Sequence, residues 1–466
     1  MSNYDILVIG SGPAGHRAAI QASKRGKHVG LIERKPRIGG AGLQTGTIPS
    51  KALREIAYSV TMGASHGMRH AQPHIIREHN FLAESVRQKD MVIDKQESVF
   101  LSQLLRNGVD LIPGEASFMD AHTLRIKTPR GSDQILHADS FILATGSRPR
   151  RPADVPFDKE RVLDSTSILH MKELPKTLTV VGGGVIACEF ATIYASLGVH
   201  VTIVDSHPQI LSFLCHDISS NLAKSMQHMG IQLIMNAKIQ SIVRHGDKVI
   251  LNHDDNPIES DCLLYALGRI PNTDGLGLDA LAIACDPRGW VQTNAHFQTS
   301  IPHIYAVGDL IGAPALAATG MEQGRIAALH ACNSKEAIIS SHLPMAIYTI
   351  PEVAWVGKTS VELEQHGQPF VAGFGYYRES ARGQIIGDAN GLLKLLVDQE
   401  SRQLLGVHVV GESASELVHI GQMVMNLNGT VDDLIRNVFN YPTLAECYKL
   451  AALHCSSLLK KSTVPH

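Results

Sequence analysis

Short apolar runs rich in β-branched residues recur along the chain, and several end on glycine-rich turns followed by stretches with helical periodicity. Tyr4 to Ile9 reads as a buried strand, His16 to Arg25 as a helix, and Val29 to Ile32 as a second strand closing on Glu33. The same order returns later as strand Leu178 to Val181, helix Cys188 to Leu197 and strand Val199 to Val204, closing on Asp205. Between the repeats, residues 59 to 106 read as two helices broken near Pro73, Val109 to Lys127 as a hairpin-like portion, and Phe141 to Leu143 as a strand. Asp261 to Arg269 and Ile304 to Ala306 read as strands, and Ala317 to Ala328 as a helix. From about His342 the pattern shifts to alternating strands, including Gly391 to Val397 and Leu404 to Val410, then helices Ser413 to Asn426 and Val431 to Val438.

The turns carry the chemistry. Gly10-Ser11-Gly12-Pro13-Ala14-Gly15 lies between the first strand and helix, with Glu33 about 20 residues on. Gly10, Gly12 and Gly15 let backbone amides approach a pyrophosphate at a helix N-terminus, and Glu33 accepts from an adenosine ribose. Gly182-Gly183-Gly184-Val185-Ile186-Ala187 repeats the arrangement, with Gly182 and Gly184 in the turn, alanine at the packing position and Asp205 as its acid. Two fingerprints in order predict two dinucleotides. An acid at Asp205 accepts from a 2′-hydroxyl and repels a 2′-phosphate. Two like charges about 4 Å apart cost about 4 kcal/mol at an effective dielectric of about 20, and less when solvated. That favours NAD(H), while Ser206 and His207 offer hydrogen bonds that soften the bias against NADP(H).

Composition narrows the partners. A chain of 466 residues accommodates about three domains of ordinary size. A net charge of -2 gives no electrostatic reason for nucleic acid or an anionic membrane as partner. No apolar stretch approaches the roughly 20 residues of a membrane helix. The opening Met-Ser-Asn-Tyr-Asp has no basic leader character, so a cytoplasmic location is expected. Seven cysteines, none before Cys188 and none in a C-x-x-C, suggest neither a disulfide framework nor a zinc site. His66, His70 and His74 recur at four-residue spacing, but Gly67 and Pro73 interrupt the helix that would align them, so they read as surface histidines and no metal is expected.

One further stretch fixes the question. Gly39-Gly40-Ala41-Gly42-Leu43-Gln44-Thr45-Gly46-Thr47-Ile48-Pro49-Ser50-Lys51, ahead of a helix-like run Ala52 to Val60, resembles the redox-active segment GG-x-C-x4-C-x-PSK of the pyridine nucleotide-disulfide oxidoreductases, such as dihydrolipoamide dehydrogenase and glutathione reductase. Gly42 and Thr47 stand where the two cysteines would be. The resemblance extends to Ala144-Thr145-Gly146, to Gly268 within Asp261 to Arg269, to Gly308-Asp309, to Ile350 to Gly357, and to Asn440-Tyr441-Pro442-Thr443-Leu444-Ala445-Glu446. It implies an α/β fold of two Rossmann-like dinucleotide-binding domains, for FAD and NAD(P), plus a C-terminal α+β dimerisation domain. The implied boundaries are 1–150 with 271–341 for FAD, 151–270 for NAD(P), and 342–466 for a homodimer interface.

By the same resemblance Lys51 and Glu189 pair beside flavin N5, Val185 gates the flavin, and Asp309 binds the ribitol. Gly40, Thr47, Thr145, Gly146, Gly268 and Ala317, at the start of its helix, line the cofactor sites. Tyr441 stands at the family's histidine position, with Glu446 retained. A phenol with a reference pKa of about 10 is a poor base beside an imidazole near ~6.5. With the thiols at 42 and 47 and the base at 441 all replaced, dithiol exchange is not expected. The chain is most similar to the soluble pyridine nucleotide transhydrogenases within this family, in Gly46 to Arg54 and in Phe439-Asn440-Tyr441-Pro442-Thr443. Those enzymes pass hydride between NADP(H) and NAD(H) through FAD. They keep a cysteine at the position of Gly42, and an asparagine and an arginine where Asp205 and His207 stand. Two alternatives remain: an NADH-dependent reductase of quinones or other acceptors, and a catalytically silent nucleotide-binding homologue. Retention of Lys51, Glu189 and both fingerprints argues against the second alternative.

Overall fold

The computed structural model describes residues 2–65, 81–334 and 339–462. Strand Ser2–Ile9 sits between Val29–Glu33 and Asp133–Leu143 in a seven-stranded sheet, all three parallel. Asp110–Pro113 extends one edge in parallel, and Ile304–Ala306 pairs in parallel with Asp133–Leu143. Its alternation is that of a strand buried on both faces: Ile6 and Val8 pack into the cluster containing Ala18 and Ile326, Leu7 and Ile9 into the one containing Phe118 and Phe141. Strand order reverses beside Ser2–Ile9, and the Gly10–Gly15 turn lies at that switch point.

The second repeat forms a five-stranded parallel sheet ordered 232–234, 200–204, 177–181, 262–265, 162–163. Its helix Val185–Ser196 is buried at every position from Ala187 to Tyr194, so its sequence lacks a polar face. A three-stranded antiparallel sheet over residues 239 to 260 adjoins it. The last sheet is a five-stranded antiparallel one, Met345–Ile347, Val353–Gly357, Leu404–Val410, Leu392–Asp398 and Phe370–Tyr376. It packs against helices Ala414–Asn426 and Glu446–Ser462. This is the expected α/β class with a C-terminal α+β portion.

Several elements differ from expectation. Asp110–Pro113 is not one arm of a hairpin: it pairs in parallel with Val29–Glu33, and the hairpin is Glu115–Asp120 with Thr123–Lys127. Gly114 lies between them at φ 156°, where a Cβ would meet Ile126 Cγ2 at 2.5 Å. Asp261 to Arg269 is not one strand: Cys262–Tyr265 belongs to the second sheet, and Arg269–Pro271 pairs with Ser147–Pro149. The helix expected from Ala52 begins at Thr47. Pro49 is tolerated there because first-turn amides have no intrahelical acceptor to lose. The expected break near Pro73, and His66, His70 and His74, lie outside the described residues. Among the described residues no helix is long and apolar enough to cross a membrane, and no cluster of three or more His, Cys, Asp or Glu could hold a metal.

Candidate active site

Both fingerprint turns are built to bring backbone close to a ligand. Gly10 has φ 105°, and a Cβ there would sit 2.4 Å from the Ala144 carbonyl oxygen; at Gly15 it would meet the Gly10 oxygen at 1.9 Å. Gly40, at φ 57°, lies so near the loop that its Cβ would stand 2.7 Å from Gly12 Cα. Helices Pro13–Ser23, Val185–Ser196 and Ala317–Ala331 start after Gly12, Gly184 and Leu316, and in none does a side chain cap the first turn. Their leading N–H groups therefore face outward with positive dipole ends, as an anionic pyrophosphate requires. Around Gly184 a Cβ would meet nothing within 4 Å. These residues fit FAD at the first turn and a second dinucleotide at the other.

The two fingerprint acids are turned toward their own loops. Glu33 Oε2 accepts from Ser11 N at 3.0 Å and Ser11 Oγ at 2.6 Å, and Oε1 accepts from Lys35 N at 2.8 Å. Asp205 is buried: Oδ2 accepts from Gly183 N, and Oδ1 accepts from His207 N and Nδ1, each at 2.7 Å. Each acid thus braces its glycine turn. Thr145 and Gly146 are tied to the returning chain: Thr145 Oγ1 donates to Asn272 O at 2.8 Å, and Asn272 N donates to Gly146 O at 2.9 Å. Gly268, at φ 90°, accepts from Arg150 N at 3.1 Å. Asp309 Oδ2 accepts from Ser147 Oγ at 2.8 Å, and Arg269 donates Nε to the same hydroxyl at 2.8 Å. Neither Ser147 nor Arg269 has a role legible in the sequence: Ser147 follows Ala144-Thr145-Gly146, and Arg269 is the last residue of the Asp261 to Arg269 stretch.

Lys51 and Glu189, 138 residues apart, meet. Lys51 Nζ lies 2.8 Å from Glu189 Oε1 and 2.7 Å from Oε2, joining helix Thr47–Ser65 to the second fingerprint helix. A third element closes the pair. Tyr348 N donates to Glu189 Oε1 at 2.9 Å, and the Tyr348 ring centroid lies 4.8 Å from Lys51 Nζ. Burial, then the nearby Glu352 and Glu189 carboxylates, push the Tyr348 phenol up. Beneath it Arg54, with a buried side chain, donates Nη2 to Thr349 O at 3.3 Å and pairs with Glu352 Oε1 at 3.4 Å; Glu352 Oε2 accepts from Ser415 Oγ at 2.8 Å. Tyr58, one turn further on, donates to Glu412.

The two expected thiol positions differ in surroundings. Thr47 opens its helix, and its carbonyl accepts from Ser50 Oγ at 3.3 Å. At Gly42 a Cβ would stand 2.7 Å from Pro13 Cγ. Tyr441 is 73% exposed and Glu446 begins the last helix; among the described residues no hydrogen bond joins either to Lys51 or Glu189 within one chain. Cys447 is buried, which pushes its thiol up to about 12, as a packing residue rather than a reactive one.

Two parallel-sheet crevices with glycine-lined turns, linked by one lysine–glutamate pair, define a two-dinucleotide flavoprotein oxidoreductase. Residues 4–324 match the sequence profile of the pyridine nucleotide-disulphide oxidoreductases and residues 343–452 that of their dimerisation domain, and the chain belongs to this family. It is 43% identical over 455 residues to a soluble pyridine nucleotide transhydrogenase of Mycobacterium tuberculosis, with 97% of each chain covered. It is 39% identical over 464 residues to one from Pectobacterium atrosepticum, again with 97% of each covered. LpdA from Mycobacterium tuberculosis superposes at a TM-score of 0.88 with 28% identity, over 97% of this chain and 99% of that one. The HOCl-induced flavoprotein disulfide reductase RclA from Escherichia coli gives 0.84 with 26% identity, over 96% and 100%.

Proposed function

We propose that this chain is an FAD-dependent transhydrogenase that moves hydride between NADPH/NADP and NAD/NADH by ping-pong exchange, without a redox disulfide. What carries the proposal is the Lys51–Glu189 pair, held by Tyr348, beside a segment whose thiol positions are Gly42 and Thr47. When bound, FAD supplies a ring nitrogen, N5, that accepts a hydride and returns it. Gly10, Gly12, Gly15, Glu33, Gly40, Thr145, Gly146, Asp309 and the Ala317 helix end hold that cofactor; Gly182, Gly184, Val185, Asp205 and Gly268 serve the nicotinamide nucleotide. Lys51 and Glu189 fix the charge beside the flavin ring. Nothing in such exchange requires a thiol or a base that removes a thiol proton, so Tyr441 at the histidine position is no obstacle.

We assign FAD to residues 1–150 with 271–341, NAD(P) to 151–270, and a homodimer interface to 342–466. In that dimer Tyr441 and Glu446 face the partner's site, and the enzyme works in the cytoplasm. The relatives named as transhydrogenases and the dimerisation-domain match support this assignment. Anaerobic stopped-flow mixing with NADPH and, separately, NADH tests it. Flavin bleaching by both, with reoxidation by the opposite nucleotide, is the expected result. Bleaching by NADH alone would instead mark an NADH-dependent reductase of another acceptor.

A further inference from the structure

We propose that His207, held by Asp205, selects between the two nicotinamide nucleotides by offering a 2′-hydroxyl a lone pair and a 2′-phosphate a proton. The inference rests on the transhydrogenase proposal and goes beyond it. An acid closing the second strand of a dinucleotide fold ordinarily takes the ribose hydroxyl itself, and an arginine nearby takes the phosphate. Here the acid's oxygens are already engaged: Gly183 N donates to Oδ2, and His207 N and Nδ1 both reach Oδ1 at 2.7 Å. The Asp205 side chain is 5% exposed and that of His207 is 63% exposed. The group that this turn presents to a ribose is therefore the imidazole.

The tautomer follows from the contact. An ionised carboxylate only accepts, so Nδ1 must carry the hydrogen it shares with Asp205. In the neutral ring Nε2 is then bare and accepts a 2′-hydroxyl. In the protonated ring Nε2–H donates to a 2′-phosphate, and the single positive charge of the imidazolium offsets the Asp205 repulsion. One anchored side chain thus serves both substrates by gaining or losing one proton. Among the described residues, Asp205 is the charged group bonded to the ring; the element packed against this turn meets it through the Asn236 and Ala237 amides, and the next ionisable residue there, Lys238, is exposed.

The test is calorimetric binding of ADP-ribose and 2′-phospho-ADP-ribose to the FAD-loaded wild type, His207→Ala and His207→Arg at pH 6 and pH 8.5. Loss of one charge-assisted hydrogen bond corresponds to roughly 10- to 100-fold in Kd. The expected result is that His207→Ala weakens 2′-phospho-ADP-ribose by at least about 10-fold at pH 6 and changes ADP-ribose much less. Wild-type affinity for the phosphorylated ligand falls from pH 6 to pH 8.5, and His207→Arg restores it at both. Equal losses for the two ligands in His207→Ala, or phosphate binding untouched by it, overturn the proposal. Neither ligand undergoes hydride transfer, so a correct selector with no nucleotide exchange would count against the function alone. Exchange with an indifferent His207 would count against the selector alone.

Discussion

Glu189→Gln changes the Lys51 pair by one atom. The amide keeps the side-chain shape and an oxygen for the Tyr348 N–H, and removes the charge that Lys51 Nζ meets at 2.8 and 2.7 Å. Two unit charges about 3 Å apart interact by about 5 kcal/mol at an effective dielectric of about 20. The Lys51 side chain is 25% exposed and that of Glu189 7%, so solvent screens part of this. A hydrogen bond from the ammonium to the neutral amide oxygen recovers about 1.5–3 kcal/mol. The net loss expected is about 2–3 kcal/mol of folded-state stability, read as a lower melting temperature. An uncompensated ammonium also favours the more negative, reduced flavin. If about 1.4–2.8 kcal/mol of the lost pairing appears there, the two-electron potential rises by about 30–60 mV. Anaerobic spectroelectrochemistry of the FAD-loaded variant against a reference dye reads that shift. A folded, FAD-loaded Glu189→Gln with the wild-type potential would refute the placement of this pair beside the flavin.

Three further outcomes are expected. Tyr348→Phe keeps the ring over Lys51 and leaves the flavin potential close to that of the wild type. Tyr348→Ala removes a cation–π contact of about 1 kcal/mol and shifts it, whereas equal potentials in both variants would contradict the role given to the ring. Burial, opposed by the Tyr58 hydrogen bond and aided by Glu352, holds the Glu412 carboxyl above its usual range. A raised folded-state pKa contributes stability below the unfolded value of about 4.3 that is lost as pH rises through the folded value. Wild type should therefore lose melting temperature relative to Glu412→Gln as pH rises above about 4.3, and parallel curves would contradict this. Gly42→Cys with Thr47→Cys should not confer dihydrolipoamide dehydrogenase activity. Tyr441 remains, and the new Cβ at 42 would stand 2.7 Å from Pro13 Cγ; robust lipoamide reduction would show that Tyr441 does not block it.

The strands and their glycine turns were legible because buried parallel strands and fingerprint spacings are local patterns. Only the family resemblance pairs Lys51 with Glu189, since nothing local couples residues 138 apart. Tyr348 carries no signal in the sequence for a related reason: its contact with Glu189 is through backbone N–H, which any residue type supplies. Spacing places Asp205 and Glu33 at the ends of their strands, but their bonds to Gly183 and Ser11 depend on side-chain rotamers that spacing does not specify. The parallel pairing of Asp110–Pro113 is not legible in the sequence because a four-residue strand reads alike as a hairpin arm or a sheet edge.

The most direct test is an anaerobic titration that counts electrons. With FAD alone as the redox group, one equivalent of NADPH per FAD should bleach the flavin fully, and one equivalent of NAD should restore it. Uptake of two equivalents per FAD, with new titratable thiols, would reveal a working disulfide and contradict exchange through flavin alone.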